Sequence, residues 1–434
     1  PFLAAEAVAE ELLRDDAPIA RHTGSIDLCL LFVSGSHTAK TADIARHLRK
    51  HIDPACLIAA SGSGVIGDAT EAENTDAVSA LCLTLPGSTI RPFSYTELPH
   101  ATPDDPAAMD HLAETVGAGP DLRGTIFFAD PFSVPTAAVV GALSGLSNHI
   151  GLTEHAPVVG GLASAGSSPR QNRLVLNERT LVSGGVGLTI RGDVALDTAA
   201  AHSCTPIGEP FVVTSAKRNI LLRLGGQRAI DALRDTVQDL DDEQRERLAG
   251  GLYIGRVANE YKPRFGRGDF VIRDVMGVDQ DHGAVAVADQ LRPGQTIQFH
   301  LRDAATAAED LGLVLQSEVL KGPAAAGLLC AASKRGANLF KSPHHDARTI
   351  AKWLGRANAE ARGEATNTPP VPAPAPGNSE PDLESIVTPP NNRSAFPLTG
   401  LFTQGELGPI AGRSHLNHQT ATLTLFRNRP IGTN

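Results

Sequence analysis

Apolar positions along the chain fall into two patterns. Ile26–Val33 (IDLCLLFV), Gly124–Ala129 and Ala324–Cys330 are nearly continuous apolar runs, as strands covered on both faces are. Between such runs, apolar residues recur at helical spacing, as in 38–51, where Ile44, Ala45 and Leu48 share a face, and in 105–116, 134–149 and 227–249. Ile26–Val33, the 38–51 helix and Cys56–Ala60 therefore read as strand, helix, strand, which predicts a parallel pair. Gly124–Ala129, the helix from Val134 to His149 and Pro157–Gly161 repeat that order. Segments 173–176, 180–191 and 194–200 read as an antiparallel meander turning at Asn177-Glu178 and Arg191-Gly192-Asp193. Pro206–Pro210 (PIGEP) reads as a rigid turn, followed by strands at 210–214, 219–224, 253–257, 270–275 and 283–288. The fold class expected is α/β with α+β character. Two domains carry mixed β-sheets covered by helices, and face-to-face packing of the sheets is left open.

One stretch changes period in its middle. From Thr296 to Arg302 the residues alternate, placing Ile297, Phe299 and Leu301 on one face and Gln298, His300 and Arg302 on the other. Asp303 then reads as the N-cap of a helix whose apolar face carries Ala304, Ala308, Leu311 and Leu315. An amide, an imidazole and a guanidinium thus lead to a helix N-terminus, which favours anions. Gly62, Gly64 and Gly67 have GxGxxG spacing, but the chain runs on into DATEAENTD instead of a helix, so a dinucleotide turn is excluded. The glycines instead mark a place where a ligand or another strand comes close to the backbone.

Composition narrows the partners. The 434 residues are 41% hydrophobic with a formal net charge of -10 and no basic cluster, which argues against nucleic acid and anionic membranes. Five scattered cysteines without a CxxC pair point to a reducing cytoplasm and not to a disulfide framework or a cysteine-rich zinc site. His344-His345-Asp346 and His415-x-x-His418 lack a partner set with ligand spacing, so neither a metal nor any other cofactor is expected. The N-terminus, PFLAAEAVAEELLRDD, is acidic and amphipathic, not a signal peptide. Residues 361–394 are rich in proline and read as a disordered insert.

Several motifs occur together in order: ADPFS at 129–133, IGEP at 207–210, RGDF at 267–270, QFHLRD at 298–303 and GELGPIAGR at 405–413. In sequence and spacing they resemble those of FIST proteins, from about Asp27 to Phe426. The resemblance implies a FIST N-terminal domain at 27–203 and a FIST C-terminal domain at 204–428, which the proline-rich insert 361–394 interrupts, while the amphipathic pattern of 1–26 reads as a lead-in helix outside it. It further implies a cytoplasmic sensory module of signal transduction that binds a small molecule such as an amino acid.

The polar residues fit that chemistry. Ligand-binding candidates are Arg267, Asp269, Gln298, His300, Arg302, Arg335, Glu406, Arg413 and His418, with Gly62, Gly64 and Gly67 as points of close backbone approach. Arg302 can clamp a carboxylate with two hydrogen bonds, while Glu406 or Asp269 can hold an ammonium, a combination suited to an amino acid bound without turnover. Two alternatives remain open: an enzyme using Cys330 with His300, and a scaffold using the proline-rich insert. Output would pass through oligomerisation or a signalling partner.

Overall fold

The computed structural model describes Ala7, residues 25–363 and residues 396–428. The rest of the expected N-terminal helix and the proline-rich stretch from 364 onward lie outside the described residues. Leu28–Ser34 is a wholly buried strand. It pairs in parallel with Cys56–Gly62, and the helix Thr41–Ile52 between them buries Ile44, Ala45 and Leu48. That unit recurs twice. Leu122–Ala129 and Val158–Leu162 are parallel neighbours joined through the helix Thr136–His149. Ala326–Ala332 and Leu398–Thr403 are parallel neighbours whose connection includes the helix His345–Ala361. In each case the apolar runs form strands that are covered on both faces.

Each unit belongs to its own mixed sheet, and the three sheets meet in one core containing Phe32, Phe128, Leu328, Leu401 and Phe426. Helices cover the outer faces. Thr41–Ile52 packs on the first sheet, Pro106–Val116 and Thr136–His149 on the second, and Ala304–Leu320 with His345–Ala361 on the third.

Segments distant in sequence are exchanged between the sheets. The glycine-bearing stretch after Gly62 is a hairpin, Gly64–Gly67 with Thr70–Glu73, where the local pattern shows no strand. It joins the third sheet, with Val65 opposite Leu401. Conversely GELGPIAGR leaves the sheet of the strand before it. It forms the strands Glu406–Ile410 and Arg413–Asn417 about Ala411 and Gly412, both at positive φ. That hairpin extends the second sheet by pairing Glu406 with Gly161.

Residues between 204 and 302 form a small barrel. Cys204–Lys217 pairs with both Thr296–Arg302 and Ile220–Leu224, and Leu252–Val257, Phe270–Asp279 and Ala284–Val287 complete the circuit. Ile297, Phe299 and Leu301 fill the interior with Ile254, Val285 and Leu221, the face that the alternation assigns to the core. PIGEP lies inside one long strand as a bulge, with the register shifting between Ile207 and Phe211. Gly208 bends the chain there at φ +58, and a Cβ on it would sit 2.8 Å from Thr236, so the prolines kink this strand without ending it.

Barrel and third sheet join at Ser203, between the strand Val194–His202 and the barrel strand Cys204–Lys217. Its N–H donates to the Gln419 carbonyl and its own carbonyl accepts from Asp303, at 3.0 and 2.8 Å. The seam running out from this point is where polar side chains collect.

Candidate functional site

The Asp303 carboxylate caps the helix Ala304–Leu320, accepting from the N–H groups of Ala305 and Thr306, each at 3.2 Å. This helix lies against the strand Val194–His202, and the turn Arg267–Asp269 of the barrel lies beside that strand. A cavity of about 290 Å³ results, with His202, Gly268, Asp310 and Ser317 as polar lining and Leu313 and Val314 as apolar wall. Its size is near the lower end of small-molecule sites, roughly 300 Å³.

Two buried nitrogens have no protein partner: His202 Nδ1, which lines this cavity, and Arg267 Nη1, in the turn whose next residue, Gly268, lines it. The other arm of Arg267, Nη2, pairs with Glu309 at 2.8 Å. Asp310 Oδ2 accepts the main-chain N–H of His202 at 2.6 Å, and among the described residues this carboxylate makes no ion pair. Glu318, also at the cavity, is neutralised by Arg427 and Lys321 at 3.2 and 2.7 Å. Burial lowers the pKa of the His202 ring, opposed by Asp310 and reinforced by the guanidiniums of Arg335 and Arg267. The ring is therefore neutral at pH 7, with one nitrogen able to accept. A neutral imidazole and a carboxylate without an ion pair among the described residues thus line a partly apolar space, with a guanidinium in the adjoining turn.

The remaining candidates occupy several places. Arg335 is fully buried and bonded to Asp346, Ser203 Oγ and the carbonyls of Ala201 and Ala307. Asp269 accepts from Lys262 Nζ at 2.5 Å and from the Gly266 N–H. Gln298 donates to the Gly208 carbonyl. His300 packs edge-on against Phe270 with ring centres 4.9 Å apart, and burial pushes its pKa down to about 4.

Arg302 and His418 fall into one chain of contacts on the other side of Ser203. Arg302 Nη1 donates to the Lys334 carbonyl at 2.7 Å, Lys334 Nζ lies 3.5 Å from Asp274, and Asp274 bonds His418 Nδ1 at 2.6 Å. Glu406, wholly buried nearby, accepts from Thr403 Oγ1 and from the N–H and hydroxyl of Thr420. Arg413 is exposed on the late hairpin. Cys330 lies in the common core, its strand flanked by Leu401 and Thr422, and no contact joins it to His300. The glycines admit protein, not ligand: a Cβ on Gly62 would meet Leu401 at 2.2 Å, and one on Gly64 the Ala72 carbonyl at 2.6 Å.

Sequence reasoning passed over His202, Asp310, Asp274 and Lys334. Asp310 offered a signal, since with Glu309 it interrupts the run of small and apolar residues in the Ala304–Leu320 helix. His202 ends a strand and Lys334 sits in a turn, and the partners of both lie far away in sequence.

The FIST N domain model matches residues 27–227 and the FIST C domain model residues 229–360. The chain belongs to the FIST family. FIST domains are sensory domains of signal transduction. Similar proteins match over nearly the whole length: the uncharacterized protein Rv0628c of Mycobacterium tuberculosis is 29% identical over 428 residues, covering 97% of this chain and 98% of its own. The uncharacterized protein Mb0898c of Mycobacterium bovis is 29% identical over 409 residues, covering 92% of this chain and 90% of its own. No helix among the described residues is long and apolar enough to cross a membrane.

Proposed function

We propose that this FIST protein is a cytoplasmic sensor that binds a small zwitterion such as an amino acid in the seam cavity, without turnover. The observation that carries the reading is the unpartnered buried nitrogen of His202, Nδ1, at a cavity that also holds the Asp310 carboxylate, which makes no ion pair among the described residues, with the unpartnered Arg267 Nη1 in the turn beside it. A buried donor left unmatched costs about 1–3 kcal/mol, which a ligand carboxylate at Arg267 would recover. An ammonium suits Asp310, and Leu313 and Val314 suit a short apolar side chain. The cavity spans barrel and sheet, so a bound ligand ties the two together, and an oligomer or a signalling partner reads the change.

A thermal-shift panel of amino acids, other small carboxylates and amines tests this. A ligand at about a hundred times its Kd adds roughly 2.7 kcal/mol, or several degrees. The shift should vanish in Arg267→Ala and in Asp310→Asn and persist in Arg302→Ala, whose guanidinium lies across the seam. A panel without any shift, or a shift that survives both cavity variants, would sink the proposal.

A further inference from the structure

We propose a second site, for a small oxyanion of the phosphate class, between the barrel strand Phe270–Asp279 and the late hairpin strand Arg413–Asn417. Two arginines there share one carboxylate. Arg256 Nε lies 3.0 Å and Arg273 Nε 3.7 Å from Asp289 Oδ2, while Asp289 Oδ1 is taken by the N–H of Gln290. Arg273 is 3% exposed, and the one carboxylate within ion-pair distance of it, Asp289, is shared with Arg256, while Asp274 and Glu406 act on it from further away. An unbalanced buried guanidinium is costly to the fold, and an anion would offset it.

A donor faces the same place. Asn417, 2% exposed, accepts the Ile272 N–H through Oδ1 at 2.7 Å, and its Nδ2 has no protein partner. Because the atom facing an N–H must be the oxygen, the unpartnered atom is the amide NH2, a donor. Arg273 Nη1 donates to the carbonyl of that same Ile272 at 2.9 Å. In a strand, one residue's N–H and C=O point to the same side, so the Asn417 amide and the Arg273 guanidinium lie on one flank of the strand. Alternation puts Arg413 and His415 on the Asn417 side of the hairpin strand.

The surrounding charges agree. His415 feels Arg256, Arg273 and Arg413 as neighbours against the single carboxylate of Asp289, and with burial they hold its ring at about 4, neutral. The other nearby acids are occupied: Asp274 by His418 and Lys334, Glu406 by Thr403 and Thr420. What is left is a surplus of guanidinium and amide donors, which is the recognition chemistry of phosphate oxygens.

The test uses the full chain and inorganic phosphate, titrated by calorimetry and by thermal shift against potassium chloride at matched ionic strength. Saturable binding that weakens at least tenfold in Arg256→Ala and survives in Arg267→Ala is the expected result. Glycerol 2-phosphate in parallel shows whether the site prefers a phosphate monoester or free phosphate, and binding of either supports it. Three results would overturn the proposal: no saturable effect beyond chloride, unchanged affinity in Arg256→Ala, or loss of binding in Arg267→Ala, which would move phosphate to the seam cavity. Should Arg256→Ala not fold, Arg256→Lys decides by the same criterion, because it keeps the charge opposite Asp289 and removes the fork.

Discussion

Arg335 and Asp346 form a two-point ion pair out of reach of solvent, with Nε on one carboxylate oxygen and Nη2 on the other at 3.2 Å. Burial works against the Asp346 carboxylate, yet the Arg335 charge and His345 prevail and hold its pKa at about 2. The remaining arm, Nη1, reaches Ser203 Oγ at 2.6 Å, so this pair fixes the point where sheet passes into barrel. A residue that the sequence offers as a ligand-binding candidate thus spends all three guanidinium nitrogens on the protein itself.

Removing one partner strands the other. Asp346→Ala is expected to cost about 3–5 kcal/mol in urea unfolding, whereas the double variant Arg335→Met with Asp346→Leu should cost less than that single change. A loss under about 1 kcal/mol in Asp346→Ala would mean that water reaches Arg335 after all.

Glu406 makes stability depend on pH between about 4.5 and 8. Burial is the main cause that raises its pKa from 4.5 to about 8, against the hydrogen bonds from Thr420 and Thr403. The folded state therefore holds a proton that the unfolded chain releases above pH 4.5. This contribution to stability is complete below 4.5 and is lost as pH rises through 8. Glu406→Gln removes the titration, so the variant should gain on the wild type between those values by up to about 1.4 kcal/mol per pH unit. Chemical denaturation of both proteins at pH 5, 6.5 and 8 measures it, and a gap that stays constant would show that Glu406 titrates normally.

Cys330 should be inert. Burial, reinforced by Glu406, pushes its thiol well above the ordinary range, and a thiol is a poor nucleophile until it ionises. Maleimide on the native protein at pH 7 is expected to label Cys82, the half-buried one, and to reach Cys330 only on unfolding. Rapid native labelling of Cys330 that slows in His300→Ala would revive the catalytic alternative.

Periodicity in the chain reports what each residue does for its own element. The alternation in 296–302 and the Asp303 cap are both seen in the structure, because a strand face and a helix start are decided within a few residues. Gln298, His300 and Arg302 do share a face, yet they diverge: His300 lies against Phe270, and Arg302 leans on Lys334. Which partner meets that face depends on a barrel closing and on a hairpin arriving from residue 406 onward, and neither leaves a local trace. Gly62 and Gly64 carried a real signal of close approach, but a glycine cannot say whether strand or ligand is the neighbour. His202 was silent for the same reason, since its cavity exists only once helix 304–320 and turn 267–269 are brought to it.

The exchange of strands between sheets has a consequence for how the protein is made. Leu398–Thr403 and Thr420–Asn428 flank Ala326–Ala332 on its two sides, and the hairpin between them completes a sheet begun near residue 88. During synthesis at about 5–20 residues per second, the early strands must wait tens of seconds for neighbours that emerge last. Until then their apolar edges are open to any other extended chain. A ribosome-bound chain stopped at residue 360, where the FIST C match ends, would keep those edges bare, and chaperone capture at that length is the cost of threading one half through the other.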